Sequence, residues 1–176
     1  GGVMLPHYLP LSVAETFSLL SALSPGRIAI AVGRAAGTDP LTAFALQRDR
    51  RHGAPDDFPE QLAELLAYVR DGWPPGHRFA KLAHLPGDPE RPTPWLLGSS
   101  PQSGIWAAGA GLPYAFADFI NPLGAEVTRR YRTSFEPSTG MPTPYVIVAV
   151  WALAAETDEE AARLAASSRV GFVQFL

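Results

Sequence analysis

Short apolar runs alternate with helical patterns along almost the whole chain, and this alternation most constrains the fold. The runs have the length and the apolar, often β-branched or aromatic content of buried strands. A segment with helical character follows each of them. The alternation predicts parallel strands joined by helical crossovers, in an open doubly wound sheet or a (β/α)8 barrel. The predicted strands cover residues 3–5, 27–33, 95–97, 114–119 and 145–153.

Two capping boxes mark predicted helix starts. Ser12 is followed three residues later by Glu15, and Thr157 by Glu160, which is the spacing that satisfies free N–H groups at a helix N-terminus. The second of these helices is predicted to run to about residue 166. Further helices are predicted at 41–46, 59–70, 102–110 and 122–131. The apolar stripe of the first helix, predicted to be buried, comprises Val13, Phe17, Leu20 and Leu23.

Composition narrows the class of protein. The 176 residues are 47% hydrophobic and 18% charged with a net charge of −3, which predicts one globular domain over 1–176 without a surface for nucleic acid or an anionic membrane. The absence of cysteine excludes disulfides and thiolate chemistry. No apolar run reaches the roughly 20 residues of a membrane span, and no signal-peptide pattern opens the chain, so a cytoplasmic location is expected.

Several catalytic patterns are absent from the sequence. No GxGxxG or GxxxxGK[ST] segment follows a predicted strand, and no serine lies in a GxSxG elbow. The four histidines show no HExxH or HxH spacing, so no metal site is predicted. The acidic pairs at 56–57 and 159–160 lie at helix starts, where the helix dipole accounts for them without catalysis.

Ligands of parallel α/β folds bind beyond the carboxyl ends of the strands. Two such positions stand out, Gly33-Arg34 and Gly98-Ser99-Ser100, with Ser103 shortly after. A glycine lets a flat ligand approach the backbone, an arginine binds phosphate in bidentate fashion, and helix N-terminal N–H groups favour an anion. The residues alone favour a simpler interpretation, in which Ser100 or Ser103 is a helix cap and Arg34 a solvated loop residue.

Three segments together resemble the bacterial-luciferase-like flavin-dependent monooxygenases. They are GGVMLPHYLPLSVAE at the start, LLSALSPGRIAIAVGRAAGTDP in the first third and WLLGSSPQSGIWAAGAGLPYAFADF in the middle. The similarity covers nearly the whole chain, with its motifs in the family's order. The resemblance implies a (β/α)8 barrel that uses reduced FMN, or the deazaflavin F420 in some relatives.

The resemblance also assigns roles to the strand-end residues. Arg34 matches a position that binds the flavin phosphate, and Ser100 and Ser103 match phosphate-binding hydroxyls, with Gly98 and Ser99 contacting the group nearby. Gly33 matches a small position facing the isoalloxazine ring. Gly1 and Gly2 match a strand end where relatives often have a non-proline cis peptide under the ring, which favours a chain cut in mid-strand over two residues left from cloning.

The sequence also departs from the family pattern. The family barrel begins with about three further βα units, one of which carries the catalytic histidine, and these have no counterpart here. The last unit of the barrel also has no counterpart, so roughly five of eight units are present. The chain is therefore interpreted as an internal fragment, its catalytic residues are unknown, and it is expected not to turn over. His7 is a weak substitute for the missing histidine, because the prolines around it indicate a loop position that lines the pocket.

The expected function is that of a fragment of a flavin-dependent monooxygenase. Its parent would use reduced FMN and O₂ to oxidise a small organic substrate. The expected partners are a flavin reductase and further copies of the same chain in a homo-oligomer. Two alternatives remain at this point: an F420-dependent hydride-transfer enzyme, and a non-catalytic flavin-binding shortened barrel.

Overall fold

The computed structural model describes residues 2–35, 38–47, 49–51, 56–70, 72–82 and 84–175, the last eight by their backbone alone. Five parallel strands form one sheet in the order β1-β2-β3-β4-β5. The strands are β1 Val3–Met4, β2 Ala29–Gly33, β3 Thr93–Gly98, β4 Tyr114–Ala117 and β5 Val146–Ala149. The helices are α1 Pro10–Leu23, α2 Pro40–Ala45, α3 Phe58–Val69, α4 Pro101–Gly109, α5 Gly124–Thr133 and α6 Asp158–Phe175, with 3₁₀ turns at Leu5–His7 and Ala80–Leu82.

The strand order distinguishes between the two predicted architectures. Each strand pairs with the next one in sequence, and the order never reverses. A doubly wound sheet has a reversal where its ligand crevice forms, whereas consecutive order is what a barrel requires. The α/β prediction is confirmed, and the five strands with their helices have the architecture of a partial (β/α)8 barrel.

The core lies between the sheet and its helices. Alternate residues of β2, β3 and β4 face the helices and are buried, as the two-residue period of a strand requires. They pack with the inner faces of α1, α3, α4 and α5. The opposite face of the central strands is only partly buried. The buried strand residues are Ile30, Val32, Leu96, Tyr114 and Phe116.

The start of α1 differs from its prediction. The helix begins at Pro10, with Leu9 as an N-cap residue that makes no side-chain cap, so Ser12 is inside the helix. Proline suits this first helical position because an N–H there would have no acceptor within the helix. The predicted stripe is also wrong in part, since Leu20 and Leu23 are 41% and 74% exposed. The buried face of α1 instead carries Pro10, Val13, Ala14, Ser18 and Ser21.

Small residues explain which face of α1 is buried. The Ser18 hydroxyl accepts a hydrogen bond from the N–H of Gly87 at 3.0 Å, and a Cβ at Gly87 would collide with the Ser18 backbone. The hydroxyl of Ser21 donates to the carbonyl of Phe17 at 2.9 Å. Each buried hydroxyl is therefore hydrogen-bonded, so burying this polar helix face costs little.

The predicted N-cap of the last helix, α6, is confirmed. The Thr157 hydroxyl accepts the N–H of Glu160 at 3.2 Å. The helix continues to Phe175, beyond the predicted end near residue 166. Among the described residues, no helix is long and apolar enough to cross a membrane.

Candidate functional site

Two neighbouring strands end in glycine at the carboxyl edge of the sheet. Gly33 is the last residue of β2 and Gly98 the last of β3, and the register pairs Val32, one residue before Gly33, with Leu96, two residues before Gly98. The strand-end residues that the sequence singled out are thereby brought together on adjacent strands.

Gly33 has room for a Cβ within the described structure. A Cβ there would lie 3.6 Å from the carbonyl oxygen of Leu97 and 3.7 Å from the end of Met4, which are ordinary contacts. Its φ is not in the left-handed region that favours glycine. Neither packing among the described residues nor backbone conformation therefore requires glycine at this position.

Gly98 is required by the packing of β3 against α4. A Cβ at this position would overlap both the Cβ and the Oγ of Ser103. Since the overlap includes the Ser103 Cβ, no rotation of that side chain relieves it. The first turn of α4 consequently lies directly against the end of β3.

A hydrogen-bonded network closes the first turn of α4. Ser100 is the N-cap, and its hydroxyl accepts the N–H of Ser103 at 3.2 Å. The Ser103 hydroxyl donates to the carbonyl of Ser100 at 2.7 Å and lies 2.8 Å from the hydroxyl of Tyr114. Because the single proton of Ser103 is already donated to Ser100, Tyr114 is the donor in the second bond. Burial raises the pKa of Tyr114.

This network bears on the role predicted for Ser103. Its side chain is only 6% exposed, and its hydroxyl both donates and accepts inside the protein. In this geometry it supports the helix turn from within, and its contact with a phosphate stays a prediction. Ser100 caps the same turn, as the simpler sequence interpretation stated.

Arg34 is oriented by two residues that the sequence did not connect with it. Its Nε and Nη2 donate to the two carboxylate oxygens of Asp56 at 3.1 and 2.9 Å. Its guanidinium also lies 5.8 Å from the ring centroid of Trp106 on α4. With 52% of the side chain exposed, the edge of the guanidinium that carries Nη1 makes no contact with Asp56.

Asn121 holds the segment between β3 and α4. Its Nδ2 donates to the carbonyl oxygen of Ser99 at 2.6 Å, while its Oδ1 accepts the N–H of Leu123 at 3.0 Å. Asn121 lies between β4 and α5 and belongs to no motif, so sequence reasoning did not select it. Likewise, Asp56 was interpreted only as a helix-start carboxylate, and no motif selected Trp106.

The remaining predicted contacts involve the first residues. Gly1 lies outside the described residues. Gly2 is exposed and precedes β1, and a Cβ there would collide only with the movable end of the Leu97 side chain, so packing does not require glycine at this position. His7 ends the 3₁₀ turn after β1, which agrees with the predicted loop position. In the described part of the chain, no three His, Cys, Asp or Glu residues form a group that could hold a metal ion.

Comparison with known proteins identifies the family. A family model for luciferase-like monooxygenases matches residues 1–175. The chain belongs to the luciferase-like monooxygenase family. The N-acetyl-S-alkylcysteine monooxygenase of Bacillus subtilis (strain 168) is 45% identical over 136 residues, which are 77% of this chain and 40% of that protein.

Two solved structures share the fold of this family member. The crystal structure of apo-MsnO8 superposes with a TM-score of 0.81 at 39% identity, over 96% of this chain and 48% of that one. The oxygenating constituent of 3,6-diketocamphane monooxygenase from Pseudomonas putida, a type II Baeyer-Villiger monooxygenase in complex with FMN, gives 0.60 at 19% identity, over 97% and 52%. At that identity it shows the fold alone. The chain spans about half the length of the curated relatives it matches.

Proposed function

We propose that this chain provides the FMN phosphate site of a flavin-dependent monooxygenase. The supporting observation is the pairing at the carboxyl edge: β2 ends in Gly33 and is followed by Arg34, and the adjacent β3 ends in Gly98 and is followed by the N-terminus of α4. An arginine and a helix N-terminus on neighbouring strands form a donor set suited to a phosphate.

The residues present fit the phosphate of FMN. Asp56 occupies the Nε–Nη2 edge of Arg34, which leaves the Nη1 edge for a second anion. At the start of α4, the N–H of Ser103 donates to the Ser100 hydroxyl. The N–H of Gln102, in the same first turn, has no acceptor within the helix. Ser99 and Ser100 would add backbone and hydroxyl contacts. Gly33, where packing leaves room, would lie against the planar ring.

Reduced FMN, when bound, supplies the reaction with O₂ and the oxidation of a small organic substrate. The part of this chain in that chemistry is to bind and orient the cofactor. The family model and the name of the Bacillus protein support a monooxygenase. We further propose that a flavin reductase supplies the reduced cofactor and that the protein acts in the cytoplasm.

The phosphate site is tested by replacing Arg34. Arg34→Ala should weaken FMN binding by about 1.5–3 kcal/mol, the scale of a charged hydrogen bond, in a fluorescence titration. Riboflavin, which lacks the phosphate, should bind wild type and variant equally. Arg27→Ala is the matched control, because Arg27 is an exposed arginine before the other end of β2. Equal FMN affinity in wild type and Arg34→Ala would refute the site.

F420 and the non-catalytic alternative are tested with the same protein. F420 titrated in parallel should bind more weakly than FMN if the FMN proposal is correct. We also propose that the 176-residue chain alone does not turn over, because the expected catalytic histidine has no counterpart in it. Oxidation of an N-acetylated S-alkylcysteine by the purified chain with reduced FMN and O₂ would contradict this.

A further inference from the structure

We infer that Asn121 is a positioning residue that aims the backbone between β3 and α4 at the phosphate of the flavin. The inference rests on the proposed function and adds to it a residue of the next strand-end loop, between β4 and α5. Asn121 has no proposed contact with the cofactor and would act through Ser99 and Ser100.

The first step is the bond from Asn121 to Ser99. The Nδ2 of Asn121 donates to the Ser99 carbonyl oxygen at 2.6 Å, a short bond in a partly buried position. In a trans peptide the C=O and the following N–H point in opposite directions. Fixing the Ser99 carbonyl therefore also fixes the direction of the Ser100 N–H.

The second step is the direction itself. The sheet order places β3 between β2 and β4, and Asn121 lies in the loop that follows β4. With the Ser99 carbonyl directed towards that loop, the Ser100 N–H is directed towards the β2 side. Arg34 follows β2 on this side. Asn121 thus orients a backbone donor towards the same region as the guanidinium.

The third step is that Asn121 is itself rigidly held. Its Oδ1 accepts the N–H of Leu123 at 3.0 Å, and its backbone N–H donates to the carbonyl of Ala117 at 3.3 Å. These bonds tie the side chain to the end of β4 and the approach to α5. A side chain fixed at both its base and its amide oxygen can hold Ser99 in one orientation with little further loss of entropy.

The test measures how much the phosphate adds to flavin binding, as the ratio of the dissociation constants of riboflavin and FMN. Asn121→Ala should reduce this ratio roughly three- to tenfold, the scale of one lost hydrogen bond, and leave riboflavin affinity within about twofold. A residue with a merely structural role would weaken both flavins together and leave the ratio unchanged. Ile120→Ala is the matched control, because it shortens an exposed neighbour in the same loop.

A second variant protects the test against misfolding. Asn121→Asp keeps the oxygen that accepts the N–H of Leu123 but replaces the donor to Ser99 by a carboxylate oxygen. The ratio should fall at least as far as in Asn121→Ala, and the loss should persist at about 1 M salt, where charge repulsion is screened. A loss that salt abolishes would overturn the inference.

The outcomes separate the two proposals. If wild-type protein binds FMN no more tightly than riboflavin, the phosphate site itself is wrong. If wild type prefers FMN and Asn121→Ala keeps the full preference, the phosphate site stands and the role of Asn121 is refuted. A reduced ratio in Ile120→Ala would also refute it, because the effect would then belong to the loop as a whole.

Discussion

The strands β2 and β5 have the same kind of sequence and opposite environments. Both are short apolar runs, yet Ile30 in β2 is 0% exposed and Ile147 in β5 is 45% exposed. β2 lies between β1 and β3 under helices, whereas β5 pairs only with β4 in the described sheet. The sheet face also differs, because Ile147 aligns with the partly buried Ala115 and not with the buried Tyr114. The difference teaches that an apolar run specifies a strand suited to burial, while the neighbouring strands and the sheet face decide how much of each side chain is buried.

The largest expected difference compares the two isoleucines directly. Ile30→Ala should lower the free energy of unfolding by about 2–5 kcal/mol, because it leaves a cavity in the core. Ile147→Ala should cost less than about 1 kcal/mol, because its side chain is already half in water. Urea unfolding of the two variants measures this, and equal losses would show that β5 is covered in solution.

A matched tyrosine pair sharpens the comparison at the start of β5. The hydroxyl of Tyr131 donates to the Leu112 carbonyl at 2.8 Å and lies 3.2 Å from the N–H of Tyr145. Tyr131→Phe should therefore cost about 1–3 kcal/mol, since it leaves buried backbone groups unpaired. Tyr145→Phe, at a half-exposed side chain, should cost less than about 0.5 kcal/mol. Similar costs in urea unfolding would contradict the assignment.

Alkaline pH should weaken the buried region. Burial is the main cause that raises the pKa of Tyr114 and of Tyr131 in the folded state. The unfolded chain then loses these protons at lower pH than the folded chain. The stability contribution is present below the unfolded tyrosine pKa of about 10 and is lost as pH rises towards the folded pKa. Above that pH, the urea midpoint of wild type should fall as the pH rises, and the midpoint of Tyr131→Phe should fall less steeply. The same dependence of the midpoint on pH in both proteins would contradict this.

The smallest expected change in folding stability, below about 0.5 kcal/mol, comes from Val148→Lys on β5. The exposed apolar edge should make wild-type protein self-associate, and a lysine there should reduce the apparent mass in light scattering. Leu23→Lys on α1 adds the same charge at another exposed apolar side chain and should leave association unchanged. A monodisperse wild-type monomer would refute association through β5.

Local patterns predicted the elements well and their environments less well. Apolar runs located all five strands, and the Thr157–Glu160 spacing located a real cap, because both signals depend on adjacent residues. The buried face of α1 was missed because its serines are satisfied by a distant glycine and by their own helix.

In the candidate site, too, the sequence predicted where residues lie along the strands but not which side chains contact each other. The strand-end rule brought Gly33, Arg34 and Gly98 to one edge, since topology alone determines where parallel strands end. The contacts of Arg34 with Asp56 and of Ser99 with Asn121 each span 22 residues. Side-chain pairing over such separations depends on tertiary packing, which no motif in this sequence encodes.

The overlap between position 98 and Ser103 has an evolutionary consequence. A methyl group at position 98 has no space while residue 103 carries a Cβ in its present place. Alanine at position 98 would thus require glycine at 103 or a displaced helix, and either change disturbs the hydroxyl network with Tyr114. Across luciferase-like sequences, a side chain at position 98 should therefore occur only together with glycine at 103 or with a displaced first turn of α4.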